Sequence, residues 1–152
     1  MDGLMIRKQV AALTADCPYL TANLSNTAAL LWQELEEINW VGFYELRGSS
    51  LILGPFQGKP ACIQIPVGKG VCGTAAAQNR MQRIEDVHSF PGHIACDSAS
   101  NSEIVIPLHK NGEIWGVLDI DSPIPGRFTR EDGENLLNIS GAIEEFLSRS
   151  VK

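Results

Sequence analysis

The sequence predicts an α+β domain in which a central, mostly antiparallel sheet of about six strands has helices packed mainly on one side. Three observations predict this fold. Apolar residues recur at helical spacing near both ends of the chain. Between them, several segments alternate at a period of two, as strands do. Two of these segments flank Asn111-Gly112, which is typical of a hairpin turn. The 152 residues fit one domain, 1–152.

Four helices are predicted. The first spans residues 4–14 and the second about 21–37, where apolar residues recur every three or four positions. A short Ala-rich helix covers 74–79. The last helix begins at Thr129, which forms a pattern similar to a capping box with Asp132. The apolar stripe of this helix consists of Leu136, Ile139, Ile143, Phe146 and Leu147.

Six strands are predicted between the helices. They cover 38–46, 50–56, 60–66, 82–86, 103–109 and 113–121. In the first strand, Trp40 and Tyr44 face one side of the sheet, whereas Val41 and Phe43 face the other. A long irregular segment, 88–102, precedes the fifth strand, and such loops on compact domains are usually functional or disordered.

Charge and hydropathy exclude several classes of partner. The chain has 12 Lys and Arg against 18 Asp and Glu, which gives a net charge of −6. Without a basic run, nucleic acid and anionic membranes are not expected as main partners. No apolar stretch is long enough to span a bilayer, and the charges near the N-terminus are in the wrong order for a secretory signal. We therefore expect a cytoplasmic protein whose cysteines rest as thiols.

The four cysteines differ in their surroundings. Cys17 precedes a proline and carries no other signal, and Cys62 lies in a predicted strand, where a cysteine is ordinarily a small apolar residue. Cys72 stands beside glycines at the start of a helix, which favours a thiolate. Cys96 lies in a loop of small polar residues. A zinc site from Cys62, Cys72, Cys96 and His93 is conceivable, but structural zinc ligands normally come in close pairs, so no metal is expected.

Three acidic residues are candidates for one site. Asp119 and Asp121 share one face of the last strand. The side on which Glu103 lies depends on the hairpin register. A two-residue Asn111-Gly112 turn pairs 103 with 120 and points Glu103 away, whereas a three-residue loop with Lys110 pairs 103 with 119 and brings the acids together. We adopt the second register as a hypothesis.

Convergence of the three acids has electrostatic consequences. Like charges in a partly dry pocket do not all ionise, so at least one pKa should rise. Such an acid is a proton donor near neutral pH, and the pocket attracts an ammonium group. Trp40 and Tyr44 fit the wall of this pocket, although core packing explains two aromatic residues on one strand face equally well.

Several segments resemble the free methionine-(R)-sulfoxide reductases, which are stand-alone GAF domains. The resemblance extends from about residue 20 to 147 and is most specific in the cysteine spacing and in the loop that ends at Glu103. The segments are Trp40-Val41-Gly42-Phe43-Tyr44, Leu53-Gly54-Pro55-Phe56-Gln57-Gly58, Pro60-Ala61-Cys62, Gly68-Lys69-Gly70-Val71-Cys72-Gly73, residues 91–103, and Gly116-Val117-Leu118-Asp119-Ile120-Asp121-Ser122.

The resemblance implies a role for each candidate residue. Cys96 matches the nucleophile, Cys62 the principal resolving cysteine, and Cys72 a third thiol that also joins a disulfide. Which of the last two resolves the intermediate differs between members, so both assignments stay open. The substrate-binding positions are Trp40 and Tyr44 around the methyl-sulfur end, and Glu103, Asp119 and Asp121 around the ammonium group and the sulfoxide oxygen.

The resemblance also implies an activity and partners. The expected reaction is reduction of free L-methionine-(R)-sulfoxide through a cysteine sulfenic acid and an intramolecular disulfide. Thioredoxin is the implied external reductant, no cofactor is bound, and a homodimer is suggested. Two alternatives remain: a GAF small-molecule-binding sensor module without catalysis, and a small zinc-stabilised interaction domain.

Overall fold

The computed structural model describes residues 1–93 and 99–151. Cys96, the nucleophile that the resemblance implies, lies outside the described residues. The helices are α1 (Gly3–Thr14), α2 (Leu20–Glu34), α3 (Gly70–Gln78) and α4 (Arg130–Arg149). The strands are β1 (Trp40–Arg47), β2 (Ser50–Gly58), β3 (Gln64–Pro66), β4 (Gln82–Ile84), β5 (Ser102–Lys110) and β6 (Glu113–Ser122), with a 3-10 turn at Val87–Ser89.

The predicted elements are present, and three of their bounds differ from the prediction by more than two residues. The helix α2 ends before Glu37, whose φ of 60° is incompatible with a continuing helix. The strand β3 covers only Gln64–Pro66 instead of 60–66, because Pro60 has no N–H with which to pair and the carbonyl of Cys62 accepts a hydrogen bond from the Tyr44 hydroxyl. The helix α3 begins at Gly70 rather than Thr74, so Cys72 lies in its first turn.

The six strands form one antiparallel sheet in the order β3-β2-β1-β6-β5-β4. Helices α2 and α4 pack against one face, α1 packs on α4 and α2 on the same side, and the larger hydrophobic core lies between these helices and the sheet. Val41 and Phe43 of β1 point into this core, together with Leu118 and Ile120 of β6. Because three of the four helices lie on this face, the predicted α+β arrangement is confirmed.

The other face of the sheet is covered by α3. A smaller apolar cluster lies there, and it contains Trp40, Tyr44 and Cys72. The side chains of β1 therefore divide between the two faces as their alternation predicts. Because β1 is buried on both faces, its side chains are packed on both sides of the sheet. Trp40 and Tyr44 therefore hold fixed positions in the space between β1 and α3.

The β5–β6 hairpin corrects the predicted register. Its turn is the two-residue Asn111-Gly112, with φ values of 54° and 80°, and not the three-residue loop. A bulge then leaves Trp115 without a partner, because Leu108 pairs with Gly116 while His109 pairs with Ile114. The bulge shifts the register by one, so Glu103 lies opposite Asp121 and on the same face as Asp119.

The longest helix, α4, begins with the predicted capping box. The Thr129 hydroxyl accepts a hydrogen bond from Asp132 N at 3.1 Å, and the Asp132 carboxylate accepts one from Thr129 N at 2.9 Å. Its predicted apolar stripe is buried against the sheet. Within the described ranges, no helix is both long and apolar enough to cross a membrane.

Candidate active site

A pocket opens between α3 and the face of the sheet that carries β1, β5 and β6. Its floor is formed by strand residues that point toward α3, and its walls come from α3 and from two irregular segments. The lining residues in the described part of the chain are Trp40, Tyr44, Ala61, Ile65, Gly70, Val71, Cys72, His93, Ser100, Glu103, Asp119 and Asp121.

Three carboxyl groups meet in this pocket. Glu103 and Asp119 are only 7% and 6% exposed, and Asp121 is partly buried. Burial raises the pKa of Glu103 well above its usual range, and the neighbouring carboxylates of Asp119 and Asp121 raise it further. Burial also raises the pKa of Asp119, although hydrogen bonds from its neighbours oppose that rise. These effects favour the protonated form of Glu103 and Asp119 relative to an exposed carboxyl group.

Asp119 presents an oxygen to this pocket. Its Oδ1 atom is buried, and no hydrogen bond to it is formed by the described residues. An uncompensated buried carboxylate oxygen is costly, and a hydrogen-bond donor that enters the pocket relieves that cost. The pocket is thus suited to a ligand that carries a hydrogen-bond donor.

Cys72 shares the pocket, and its thiol lies 3.9 Å from Glu103 Oε2. Its position in the first turn of α3 led us to expect a thiolate, which is wrong. Burial raises the pKa of the Cys72 thiol well above its usual value, and the charges of Asp119 and Glu103 raise it further. These effects outweigh the helix dipole, so the thiol stays protonated.

Two stacked aromatic side chains form the opposite wall. The rings of Trp40 and Tyr44 lie 6.0 Å apart between centroids, and Phe56 also stacks on Trp40 at 5.2 Å. Trp40 Nε1 donates a hydrogen bond to the carbonyl of Lys59, and the Tyr44 hydroxyl donates one to the carbonyl of Cys62. Both polar tips are therefore satisfied, and the part of each ring that lines the pocket is apolar.

Cys62 is bonded in a disulfide, whereas Cys17 and Cys72 are free thiols. A sulfur atom in a disulfide is not a thiolate ligand, so Cys62 in this state does not serve in the alternative zinc set considered from the sequence. Cys72, Glu103 and Asp119 do bring ligand atoms within 4.8 Å of one another. A metal ion would have to displace the protons that their raised pKa values retain.

Sequence reasoning missed three residues of the site. His93 was considered only as a zinc ligand, but it lines the pocket, and burial lowers the pKa of its imidazole. Ser100 is buried and accepts a hydrogen bond from Asn39 Nδ2, and no pattern in the sequence indicates this contact. Phe56 belongs to a quoted motif, and its aromatic character on the neighbouring strand was the available signal.

Comparisons with known proteins show the family to which the chain belongs. The GAF domain family matches residues 17–145. The chain is 56% identical over 143 residues to the free methionine-R-sulfoxide reductase of Escherichia coli K12, and the match covers 94% of this chain and 87% of that protein. The chain belongs to the free methionine-R-sulfoxide reductase family of GAF domains.

Solved structures show the same fold. The structure of fRMsr of Staphylococcus aureus in its reduced form has a TM-score of 0.93 and 54% identity, covering 97% of this chain and 96% of that one. The same protein in complex with substrate has a TM-score of 0.92 and 53% identity, with equal coverage. For this free methionine-R-sulfoxide reductase family member, the roles of individual residues remain predictions.

Proposed function

We propose that this chain reduces free L-methionine-(R)-sulfoxide to L-methionine. The observation that carries the proposal is a pocket in which buried carboxyl groups face two aromatic rings, in a chain 56% identical to the Escherichia coli enzyme of that name. A sensor module needs only a binding pocket. The buried acids with raised pKa values, and the bonded state of Cys62, fit redox chemistry better than binding alone.

Each end of the substrate has a matching part of the pocket. The ammonium group carries three N–H donors, and the carboxyl groups of Glu103, Asp119 and Asp121 accept them. The Oδ1 atom of Asp119 gains a partner on binding. The methyl-sulfur end lies against the rings of Trp40 and Tyr44, where an apolar group loses little by leaving water.

The chemistry needs a proton and a nucleophile. A protonated acid of the Glu103–Asp119 pair donates its proton to the sulfoxide oxygen, which makes the sulfur electrophilic. The Cys96 thiolate attacks that sulfur, the oxygen passes to the cysteine, and methionine leaves as the reduced product. The sulfoxide sulfur gains two electrons, and Cys96 loses two as it becomes a sulfenic acid.

Cys62 is the proposed resolving cysteine. Its thiol attacks the sulfenic sulfur, a disulfide forms, and the oxygen leaves as water. Two observations support Cys62 over Cys72: Cys62 is disulfide-bonded, and Cys72 is a free, buried thiol with a raised pKa. The sequence contains one further candidate partner, Cys96. Thioredoxin then reduces the disulfide by thiol–disulfide exchange, so the cycle requires no bound cofactor. The cytoplasmic location and the homodimer stay predictions.

Coupled turnover tests the proposal. The protein is mixed with thioredoxin, thioredoxin reductase and NADPH, and each sulfoxide epimer of free methionine is added separately. NADPH consumption with the R epimer alone is the expected result. Cys96→Ser should abolish it, and Cys17→Ser, which changes a free thiol outside the pocket, should leave it unchanged. Binding of the R epimer without NADPH consumption would instead support a sensor module.

A further inference from the structure

Both aromatic walls of the pocket are hydrogen-bonded to the same short segment, residues 59–63, which connects β2 to β3. Trp40 Nε1 donates to Lys59 O at 3.1 Å. The Tyr44 hydroxyl donates to Cys62 O at 2.9 Å. Two side chains of the rigid strand β1 thus hold the two halves of the segment that carries Cys62.

This segment lies outside the regular structure of the sheet. It contains no helix or strand, and Pro60 removes one of its backbone donors. A backbone hydrogen bond from Leu53 N to Ile63 O links it to the sheet on the far side of Cys62. Lys59 and Pro60 are exposed, and Cys62 is partly exposed. Segments with few buried contacts and few hydrogen bonds open most readily.

The two side chains that hold the segment are themselves well fixed. Trp40 and Tyr44 are 3% and 2% exposed and belong to one stack with Phe56. The Trp40 ring lies close to Gly58, where a Cβ atom would come within 2.7 Å of Trp40 Cδ1. Burial and the carboxylates of the pocket raise the pKa of the Tyr44 hydroxyl, so it remains a donor throughout the physiological range.

We propose that Tyr44 and Trp40 are positioning residues for Cys62, holding its segment where the thiol meets the sulfenic acid. This inference rests on the proposed function. In that step the Cys62 sulfur forms a bond to the sulfenic sulfur, the S–O bond breaks, and the oxygen leaves as water with the thiol proton. The two residues therefore act in both halves of the catalytic cycle. Their rings border the substrate, and their polar tips hold the segment that carries the resolving cysteine.

Tyr44→Phe separates these two roles, since it keeps the ring and removes only the hydroxyl. Reduced protein is mixed with free methionine-(R)-sulfoxide in the absence of thioredoxin. Methionine release is followed over time. Dimedone is added to trap the sulfenic acid, and the adduct is quantified by mass spectrometry. We expect the ratio of the rate of disulfide formation to the rate of methionine release to fall about tenfold, which is the scale of one buried hydrogen bond. The trapped sulfenic adduct should increase accordingly.

Two control variants show the effect of removing the resolving thiol and the effect of disturbing the aromatic packing alone. Cys62→Ala should release one equivalent of methionine and leave the sulfenic acid fully trappable. Phe56→Leu disturbs the aromatic stack without removing either hydrogen bond. It should therefore slow disulfide formation less than Tyr44→Phe does.

The possible outcomes separate this inference from the proposed function. If the unaltered protein releases no methionine, the proposed function fails. If it releases methionine and forms a disulfide, but Tyr44→Phe forms the disulfide equally fast, the positioning role is overturned while the function stands. Trp40→Phe provides the second test, because loss of the Nε1 donor should slow the same step while retaining an aromatic wall.

Discussion

The thiol of Cys72 lies 3.9 Å from Oε2 of Glu103, and both side chains are buried. A thiol in this position has acidic neighbours and no cation among its pKa-shifting contacts, so ionisation is opposed by burial and by like charge. The neutral thiol is a weak nucleophile. Cys72 therefore forms part of the wall that α3 contributes to the pocket, and Cys62 is the cysteine for which we propose the redox role.

The first prediction compares the two cysteines. Cys72→Ala should retain thioredoxin-dependent turnover within about threefold, because a neutral buried thiol contributes mainly packing. Cys62→Ala should reduce turnover about a hundredfold or more, because the sulfenic acid then lacks its resolving thiol. Steady-state NADPH consumption measures both. Equal losses in the two variants would assign the resolving role to both thiols.

The second prediction concerns the pH dependence of the sulfoxide step. Since burial and Asp119 raise the pKa of Glu103, its proton is available near neutral pH and is lost as the pH rises. We expect the rate of methionine release to fall along a basic limb, and Glu103→Gln to lower it about a hundredfold or more and remove the limb. Glu113→Gln, at an exposed position on the same hairpin, is the matched control.

The third prediction concerns stability. The folded protein keeps protons on Glu103 and Asp119 at pH values where the unfolded chain, with pKa values near 4.5 and 3.8, has released them. The free energy of unfolding should therefore fall as the pH rises from about 5 to 7, by on the order of 1 kcal/mol for each tenfold difference in proton affinity between the folded and unfolded states. Urea unfolding at both pH values measures it. Glu103→Gln should show a smaller fall, and a fall identical to that of the unaltered protein would contradict the retention of a proton by this acid.

The fourth prediction concerns selectivity for the free amino acid. N-acetylation removes the positive charge that the acids of the pocket are proposed to hold. N-acetyl-methionine-(R)-sulfoxide should therefore have a kcat/KM lower by about a hundredfold or more, the scale of a lost partner in a buried charged pair. Asp121→Asn should reduce the ratio of kcat/KM for the free substrate to kcat/KM for the acetylated substrate. If the unaltered protein has nearly the same kcat/KM for the two substrates, the acids do not bind the ammonium group.

The fold could be predicted from the sequence because its signals are local. Alternation in β1 assigned Trp40 and Tyr44 to one face of the sheet, and the Thr129–Asp132 capping box fixed the start of α4. The extent of β3 was less predictable, because it depends on how residues 59–63 are held by side chains of β1. Such contacts join residues about 18 positions apart and leave no periodic pattern.

The hairpin register was predicted incorrectly for a similar reason. Asn111-Gly112 indicates a two-residue turn, but the bulge near His109 is stabilised by α4, where Glu144 accepts a hydrogen bond from His109 N at 2.6 Å. A contact across 35 residues was not visible in the hairpin sequence. Glu103 nevertheless reaches the predicted face, because the bulge restores the alternation that the shorter turn would have reversed.

The last prediction tests whether the aromatic wall depends on Gly42. A Cβ atom at this position would lie 2.3 Å from the Cβ of Phe56 and 2.8 Å from the ring of Trp40. Gly42→Ala should therefore push the stack out of place, destabilise the fold by about 1–3 kcal/mol and raise the KM for the sulfoxide. Gly54→Ala is the control, since its Cβ would meet Phe43 O at 3.2 Å, a contact that small shifts relieve. Thermal unfolding measures the stability of each variant, and the KM is measured at a temperature at which both are folded. If Gly42→Ala and Gly54→Ala have the same melting temperature and the same KM, the stack tolerates the added methyl group.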